Sequence, residues 1–199
     1  MDTAVKSNIL RSGPDSTLRP VRAADAPALA KLVAANAAHL SGYLPKVASL
    51  ANLPEAQRHV EATLAAVEQG DLLEWHIFTN EILCGAIRLH HIDTDNRKAA
   101  IACYLGADHL GRGLATASVR TVLQYAFGRL ALNRIELVCA SENMASQRLA
   151  ERLGFRWEGL LRQAELIDGA YLDHFVYGLL REDFAANVAP AIEPAPPAF

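Results

Sequence analysis

The chain has 199 residues, of which 51% are apolar and 21% charged, so it is long enough for a sizeable core and is not mainly disordered. Its 19 basic and 22 acidic residues give a formal net charge of -3, which excludes the overall basic excess of a typical nucleic-acid binder. The sequence has neither a signal peptide nor an apolar run near the ~20 residues that span a bilayer, so we expect a cytoplasmic protein without a membrane partner.

The first half of the chain predicts a strand, two helices and a strand meander. Residues 1–15 are polar and contain a Gly-Pro pair, which indicates a flexible N-terminus. Asp25 is the expected N-cap of the first helix, with Pro27 in its first turn. The predicted elements are a strand at 17–22, helices at 25–38 and 54–69, and strands at 74–79, 83–92 and 99–105.

The second half alternates helices with strands and ends in a hairpin. Apolar residues at i, i+3 and i+4 predict an amphipathic helix over 114–130. A buried strand at 134–140 and a helix at 143–153 follow. Asp168-Gly169 is a strong turn signal between strands at 155–167 and 171–180. The order predicts a single α/β domain over 16–183 with a mixed sheet, antiparallel in its first half, and a Pro/Ala-rich tail at 184–199.

A glycine-containing loop connects the strand at 99–105 to the long helix. Gly111 and Gly113 remove two side chains where the helix begins, so the N–H groups of residues 110–115 can converge on an anion. Arg112 is a candidate counter-charge. This chemistry suits a pyrophosphate, although a tight turn without a ligand has the same pattern. A Walker A loop and a Rossmann fingerprint both fit poorly, because the Gly-Lys-Ser/Thr run and the third glycine are missing.

Four ordered motifs resemble the GNAT superfamily of acyl-CoA-dependent N-acetyltransferases, and more narrowly its RimJ/RimL type, which acetylates N-termini of ribosomal proteins. They are GRGLAT at 111–116, YAFGRLALNRIEL at 125–137, NMASQRLAERLGF at 143–155 and EGLLRQAELIDGAYLDHFVY at 158–177. The resemblance covers about residues 17–182. It implies the GNAT fold, a mixed and mostly antiparallel sheet with helices on both faces, in which two adjacent parallel strands splay apart.

The same resemblance implies how acetyl-CoA binds. Its pyrophosphate would lie on the loop at 110–115 and its pantetheine arm along the free edge of the strand at 103–105, with Asn143 contacting that arm. The cofactor-binding residues implied in this way are Cys103, Tyr104, Leu105, Leu110, Gly111, Arg112, Gly113, Leu114, Ala115, Thr116 and Asn143.

The resemblance also assigns two catalytic roles. Glu165 matches the proposed general base of the RimL-like subgroup, and Ser146 matches the serine near the CoA sulfur. A backbone N–H near residues 103–105 would bind the thioester oxygen. Tyr43 matches a substrate-side aromatic residue, and Tyr171 is a candidate wall of the substrate pocket.

Two other chemistries are less well supported. Cys139 suggests an acyl-cysteine intermediate, but a free cysteine in a strand is usually a small buried apolar residue. The seven histidines show no HxH or HExxH spacing and the three cysteines no CxxC pair, so we expect no metal site and no disulfide framework.

We therefore expect a direct-transfer acetyltransferase that acts on a protein N-terminal α-amine and is, like RimL-like relatives, a homodimer. Acetylation of a small amine, such as an amino acid, a polyamine or an aminoglycoside, is the alternative within enzymes. A non-catalytic acyl-CoA-binding scaffold also stays open. Leu110 stands where the family often has Gln or Arg, and Ala102-Cys103 where it usually has Gly-Tyr.

Overall fold

The computed structural model describes residues 8–188, which form one eight-stranded sheet with helices on both faces. The strands are β1 (Leu10–Arg11), β2 (Ser16–Pro20), β3 (Leu72–Thr79), β4 (Ile82–Asp93), β5 (Lys98–Leu105), β6 (Arg134–Ala140), β7 (Arg156–Ile167) and β8 (Ala170–Leu180). The helices are α1 (Ala26–Ser41), α2 (Pro45–Ala48), α3 (Leu53–Gln69), α4 (Leu114–Gly128), α5 (Met144–Arg152) and α6 (Arg181–Val188).

The sheet has the strand order β1-β2-β3-β4-β5-β6-β8-β7. All neighbouring pairs are antiparallel except β5 and β6, which run parallel. The mixed sheet with an antiparallel first half is therefore confirmed. The parallel pair lies at the centre of the sheet, between the N-terminal meander and the C-terminal hairpin.

Alternation along the strands gives each face of the sheet its own core. One face carries residues such as Ile77, Ile87 and Ile135 and packs against α4 and α5. The opposite face carries Phe78 and Leu83 and packs against α1 and α3. Neighbouring residues on one strand thus belong to different cores, as Ile77 and Phe78 show.

The first helix has the predicted N-cap residue, but that residue does not cap it with its side chain. Asp25 is the N-cap of α1 and Pro27 lies in the first turn, while the Asp25 carboxylate makes no cap hydrogen bond. Its carboxylate instead accepts a hydrogen bond from the Arg22 N–H at 3.0 Å and contacts His76 Nδ1 at 2.8 Å. The side chain is drawn toward a buried histidine on β3, a partner that spacing along the chain does not reveal.

The two ends carry more structure than the prediction gave them. Leu10–Arg11 pairs with β2, inside the segment expected to be flexible. At the other end α6 crosses residue 183, and Phe184 packs against Phe127 with ring centroids 5.3 Å apart. Residues 1–7 and 189–199 lie outside the described residues, and with them most of the predicted tail. Among the helices at 8–188, none combines the length and apolar character needed to cross a membrane.

Candidate active site

The two parallel strands at the centre of the sheet separate after three residue pairs. β5 and β6 pair from Lys98 with Arg134 to Ala100 with Glu136, and no pair between them follows within the described strands. The pairing of β5 with β4 continues unbroken to Leu105 with Gly85. The edge of β5 that faces β6 is therefore unpaired over residues 101–105, as the expected splay requires.

A cleft of about 450 Å³ opens at this unpaired edge, between the glycine loop, α5 and the end of α1. It brings together most of the predicted cofactor residues. Those that line it are Cys103, Tyr104, Leu105, Leu110, Gly111, Gly113, Leu114, Ala115, Thr116 and Asn143. The predicted catalytic residue Ser146 lines it as well.

The glycine loop presents backbone donors to this cleft. Gly111 and Gly113 have φ values of 73° and 77°, in the left-handed region that favours glycine. Gly113 is the N-cap of α4, so the first-turn N–H groups of Leu114, Ala115 and Thr116 have no intrahelical carbonyl partner. The Leu110 N–H is already donated to the Ala107 carbonyl at 3.1 Å. The anion donors therefore begin after Leu110.

The cation beside this loop is not the one expected from the sequence. Arg112 is exposed and is not among the residues that line the cleft, whereas Arg152 is. Arg152 lies in the last turn of α5, and its Nη1 donates to Thr116 Oγ1 at 3.1 Å. Sequence reasoning missed Arg152 because its proximity to the loop depends on how α5 packs beside α4.

A second cavity of about 160 Å³ continues the cleft through the gap between β5 and β6. Cys103, Cys139 and Leu149 line its side toward α4 and α5, in the main core. Ala102, Val138, Glu165 and His174 also line it, and alternation places Ala102 and Val138 on the opposite face of the sheet. The cavity thus passes through the sheet, from the face that packs against α4 and α5 to the face where Glu165 lies.

Asn143 and Ser146 lie where the two cavities meet. Both residues line both cavities. Asn143 caps α5, since its Oδ1 accepts a hydrogen bond from the Ser146 N–H at 3.1 Å. The cap uses the amide oxygen and leaves the amide nitrogen to donate, while the Ser146 side chain faces the gap.

An irregularity in β7 aims Glu165 at the second cavity. Leu161 pairs with His174 and Glu165 with Leu172, so β7 carries two extra residues between these pairs. Gln163, within this bulge, has φ 52°, and its N–H donates to Asp173 Oδ1 at 2.7 Å. The Asp173 carbonyl accepts from the Ser141 N–H at 2.8 Å. Asp173 therefore joins the bulge to the loop before α5.

Glu165 has a histidine neighbour that the sequence did not indicate. His174 Nε2 lies 3.3 Å from Glu165 Oε2, and both residues line the second cavity. The two positions are nine residues apart on opposite strands of a hairpin. Only the bulge and the strand register bring them together.

The cysteines of the gap are poor nucleophiles. Burial raises the pKa of Cys139 to about 11 and that of Cys103 to about 12. Because the thiolate is the reactive form, these raised pKa values disfavour both thiols as nucleophiles at neutral pH. Their environment favours the small apolar role over an acyl-cysteine intermediate.

The two predicted substrate-side tyrosines lie in different places. Tyr43 lines both cavities, and its Oη donates to the Glu142 carbonyl across the cleft at 3.4 Å. Tyr171 is 61% exposed, pairs with Leu166 near the hairpin turn and lines neither cavity. Alternation along β8 puts it on the opposite face from His174.

Within residues 8–188, no group of three or more His, Cys, Asp or Glu side chains is arranged to hold a metal ion. The histidines at the gap and on β4 therefore lack the partners that a coordination sphere needs.

Substitution of Gly113 by alanine is expected to raise the KM for acetyl-CoA by about 10-fold, because a left-handed alanine costs roughly 1–2 kcal/mol and its relaxation moves the loop amides. The matched control is Gly70→Ala, since Gly70 has φ 87° at the end of α3 and does not line the cleft. A Cβ at either position has no atom within 4 Å. The two alanine variants therefore introduce the same backbone strain, and neither introduces a steric clash. Steady-state kinetics with equal KM increases in both variants would contradict the role of the loop.

The acetyltransferase (GNAT) domain family matches residues 16–156. A putative ribosomal N-acetyltransferase, YdaF of Bacillus subtilis, is 33% identical over 84% of this chain and 92% of its own length. A spermidine N(1)-acetyltransferase of Vibrio cholerae is 34% identical over 46% of this chain and 53% of its own length.

A solved acetyltransferase structure also matches this chain. The ribosomal L7/L12 alpha-N-protein acetyltransferase RimL, solved in complex with coenzyme A, superposes with a TM-score of 0.83. It is 26% identical, and the match covers 87% of this chain and 98% of RimL. The overall fold is thus shared with a protein that was solved with coenzyme A bound.

Proposed function

The chain belongs to the GNAT family of N-acetyltransferases, and on that premise we propose that it transfers acetyl from acetyl-CoA directly to the α-amine of a protein N-terminus. The observation that carries the proposal is the gap between β5 and β6. One end of it holds the backbone donors of the glycine loop, and the other end holds a carboxylate.

The cleft supports acetyl-CoA as the co-substrate. A diphosphate suits the first-turn N–H groups of α4 and the guanidinium of Arg152. The unpaired edge of β5 offers backbone groups to the amides of a pantetheine arm, as an additional strand would. Asn143, where the two cavities meet, is the side chain that would contact that arm.

Acetyl transfer requires an unprotonated amine, a polarised thioester carbonyl and a leaving thiolate that receives a proton. Glu165 is the proposed base for the amine, directly or through a water molecule, and Ser146 the proposed proton donor to the thiolate. Unpaired N–H groups of β5 near Cys103 would stabilise the oxyanion of the tetrahedral intermediate. No acyl-enzyme is required, which agrees with the raised pKa of Cys139.

The chemistry of the second cavity favours an α-amine over a polyamine. Removing a proton at pH 7 costs about 1 kcal/mol for an α-amine and about 4.6 kcal/mol for a lysine-like amine. Glu165 is the one acidic side chain among the described residues that line the cavity, and Leu44, Val138 and Ala140 make its wall apolar. A polyamine carries further ammonium groups that such a wall leaves unpaired.

Release of free CoA from acetyl-CoA tests the acceptor class. The panel contains peptides with free Ser, Ala or Met N-termini, the same peptides with a blocked N-terminus, and spermidine. We expect thiol release with the free peptides and none with the blocked ones. Release with spermidine alone would identify a small-amine acetyltransferase, and acetyl-CoA binding without release for any amine would identify a scaffold.

The homodimer is part of the proposal. β7 is an edge strand of the sheet, and its exposed apolar side chains favour a protein contact. They are Trp157, Leu160, Leu161 and Leu166, which are 58%, 43%, 50% and 58% exposed. Light scattering at micromolar concentration should give twice the monomer mass, and a monomer mass would contradict the dimer. The proposed acetyl-CoA and ribosomal-type acceptor favour the cytoplasm as its location.

A further inference from the structure

His174 and Glu165 form a pair at the acceptor end of the gap. His174 Nε2 lies 3.3 Å from Glu165 Oε2, with 17% of the histidine side chain and 38% of the glutamate side chain exposed. His174 is held in the sheet on both sides, by pairing with Ala140 of β6 and Leu161 of β7. A rigidly placed imidazole thus contacts a carboxylate that solvent can still reach.

The bulge in β7 is what brings Glu165 next to His174. In a regular hairpin the residue opposite Leu172 would be Gln163, two positions after the Leu161–His174 pair. The two extra residues place Glu165 there instead, and the Gln163 N–H bond to Asp173 secures that arrangement. The backbone at Gln163 adopts φ 52°, which is uncommon for a residue other than glycine. The chain accepts local strain and the result is the approach of Glu165 to His174.

We propose that His174 is a positioning residue for Glu165. Its Nε2–H holds Oε2 of the carboxylate in place, so that Oε1 is left to accept the proton of the acceptor amine. In the absence of substrate such contacts are often long or poorly aligned and tighten in the complex. This role rests on the proposed function, since it requires Glu165 to act as the base.

The neighbourhood supports this pairing over competing ones. The other described side chains that line the cavity beside the pair are neutral, including those of Ala140, Cys139, Asn143 and Ser146. Asp173, next to His174 along β8, alternates to the other face, where its carboxylate accepts from Gln163. Within the cavity, His174 therefore has one carboxylate to contact, and Glu165 has one nitrogen base.

A double-mutant cycle tests the proposal with the full-length chain, acetyl-CoA and the best peptide acceptor. We expect His174→Ala to lower kcat by about 10-fold, the range of a hydrogen bond to a charged group, while the KM for acetyl-CoA stays unchanged. His174→Gln keeps an N–H donor and should recover most of that loss. In the Glu165→Gln background, His174→Ala should cause no further decrease, because the group it positions has been removed.

The outcomes separate this inference from the proposed function. If Glu165→Gln lowers kcat strongly but His174→Ala has no effect, or lowers kcat by the same factor in both backgrounds, His174 does not act through Glu165 and the inference is wrong. If Glu165→Gln keeps full activity, the base assignment fails, and the positioning role fails with it. Circular dichroism checks that each variant folds. If His174→Ala does not fold, His174→Leu replaces it as the variant without an N–H donor, and it is compared with His174→Gln.

Discussion

Replacement of Glu165 by glutamine is expected to lower kcat for peptide acetylation by about 100-fold or more, which is the range for loss of a positioned general base. The glutamine has nearly the same shape, so the cavity and the hairpin should be preserved. The KM for acetyl-CoA should change little, because Glu165 lines the second cavity and not the cleft proposed to hold the cofactor. Raising the pH should restore part of the rate, since more of the acceptor amine is then unprotonated.

Cys139→Ala is the matched control for this variant. Cys139 lines the same cavity, and its thiol would be the nucleophile of an acyl-enzyme route. Burial raises the pKa of this thiol to about 11, so we expect the alanine variant to keep most of the activity. Equal losses in the two variants would assign the chemistry to the cysteine, and the base assignment would then be wrong.

The second large effect is expected on stability, at a buried ion cluster on β3 and β4. The Glu74 side chain is 1% exposed, and its Oε2 lies 2.6 Å from Nη2 of Arg88. His76 and His59 each approach Glu74 Oε1 to 3.9 Å. Replacing Arg88 by methionine should lower the free energy of unfolding by roughly 3 kcal/mol, because it leaves a buried carboxylate without its main partner.

Arg58→Met is the control for that variant. Arg58 contacts Glu55 on the surface of α3, where the two side chains are 64% and 41% exposed. An exposed pair of this kind contributes about 0–1 kcal/mol, so this variant should unfold close to the unmodified protein. Urea unfolding gives the free energy of unfolding of both variants. Equal decreases in the two variants would show that burial does not strengthen the Glu74–Arg88 pair.

The same cluster predicts the direction of the pH dependence. Burial alone would raise the pKa of Glu74, but its interactions with His59, Arg88 and His76 outweigh burial and hold the pKa below its ordinary value of 4.5. A carboxyl group with a lowered pKa in the folded state contributes stability above its unfolded pKa and loses it as the pH falls through the folded pKa. The decrease in the free energy of unfolding caused by Arg88→Met should therefore be largest at neutral pH and become smaller below about pH 4. A cost that stays constant down to pH 3 would contradict the ionic origin.

The gap, more than any single residue, explains why this fold suits acyl transfer. A continuous sheet would separate the two faces completely. Because β5 and β6 stop pairing after Ala100 and Glu136, a thioester can reach from the loop side to the side that holds Glu165. If the proposed function is right, the donor and the acceptor meet between these two strands.

Local patterns in the sequence were sufficient for the order of the elements, the helix start after Gly113 and the hairpin turn at Asp168-Gly169. These features depend on residues within a few positions of each other, through periodicity, backbone conformation and turn chemistry. The family motifs then led to Glu165, Ser146 and Asn143, which the structure gathers around one gap. Their catalytic and binding roles stay predictions until the variants are measured.

Contacts between segments that are far apart in the sequence could not be predicted and were seen only in the tertiary structure. The sequence favoured Arg112 as the cation of the loop, but the packing of α5 beside α4 brings Arg152 to the cleft. It likewise gave no sign that the β7 bulge carries Glu165 to His174, or that Asp25 turns from its helix to a buried histidine. The reason is that strand register and helix packing depend on many contacts between distant parts of the molecule. The spacing of residues within one segment does not reveal those contacts.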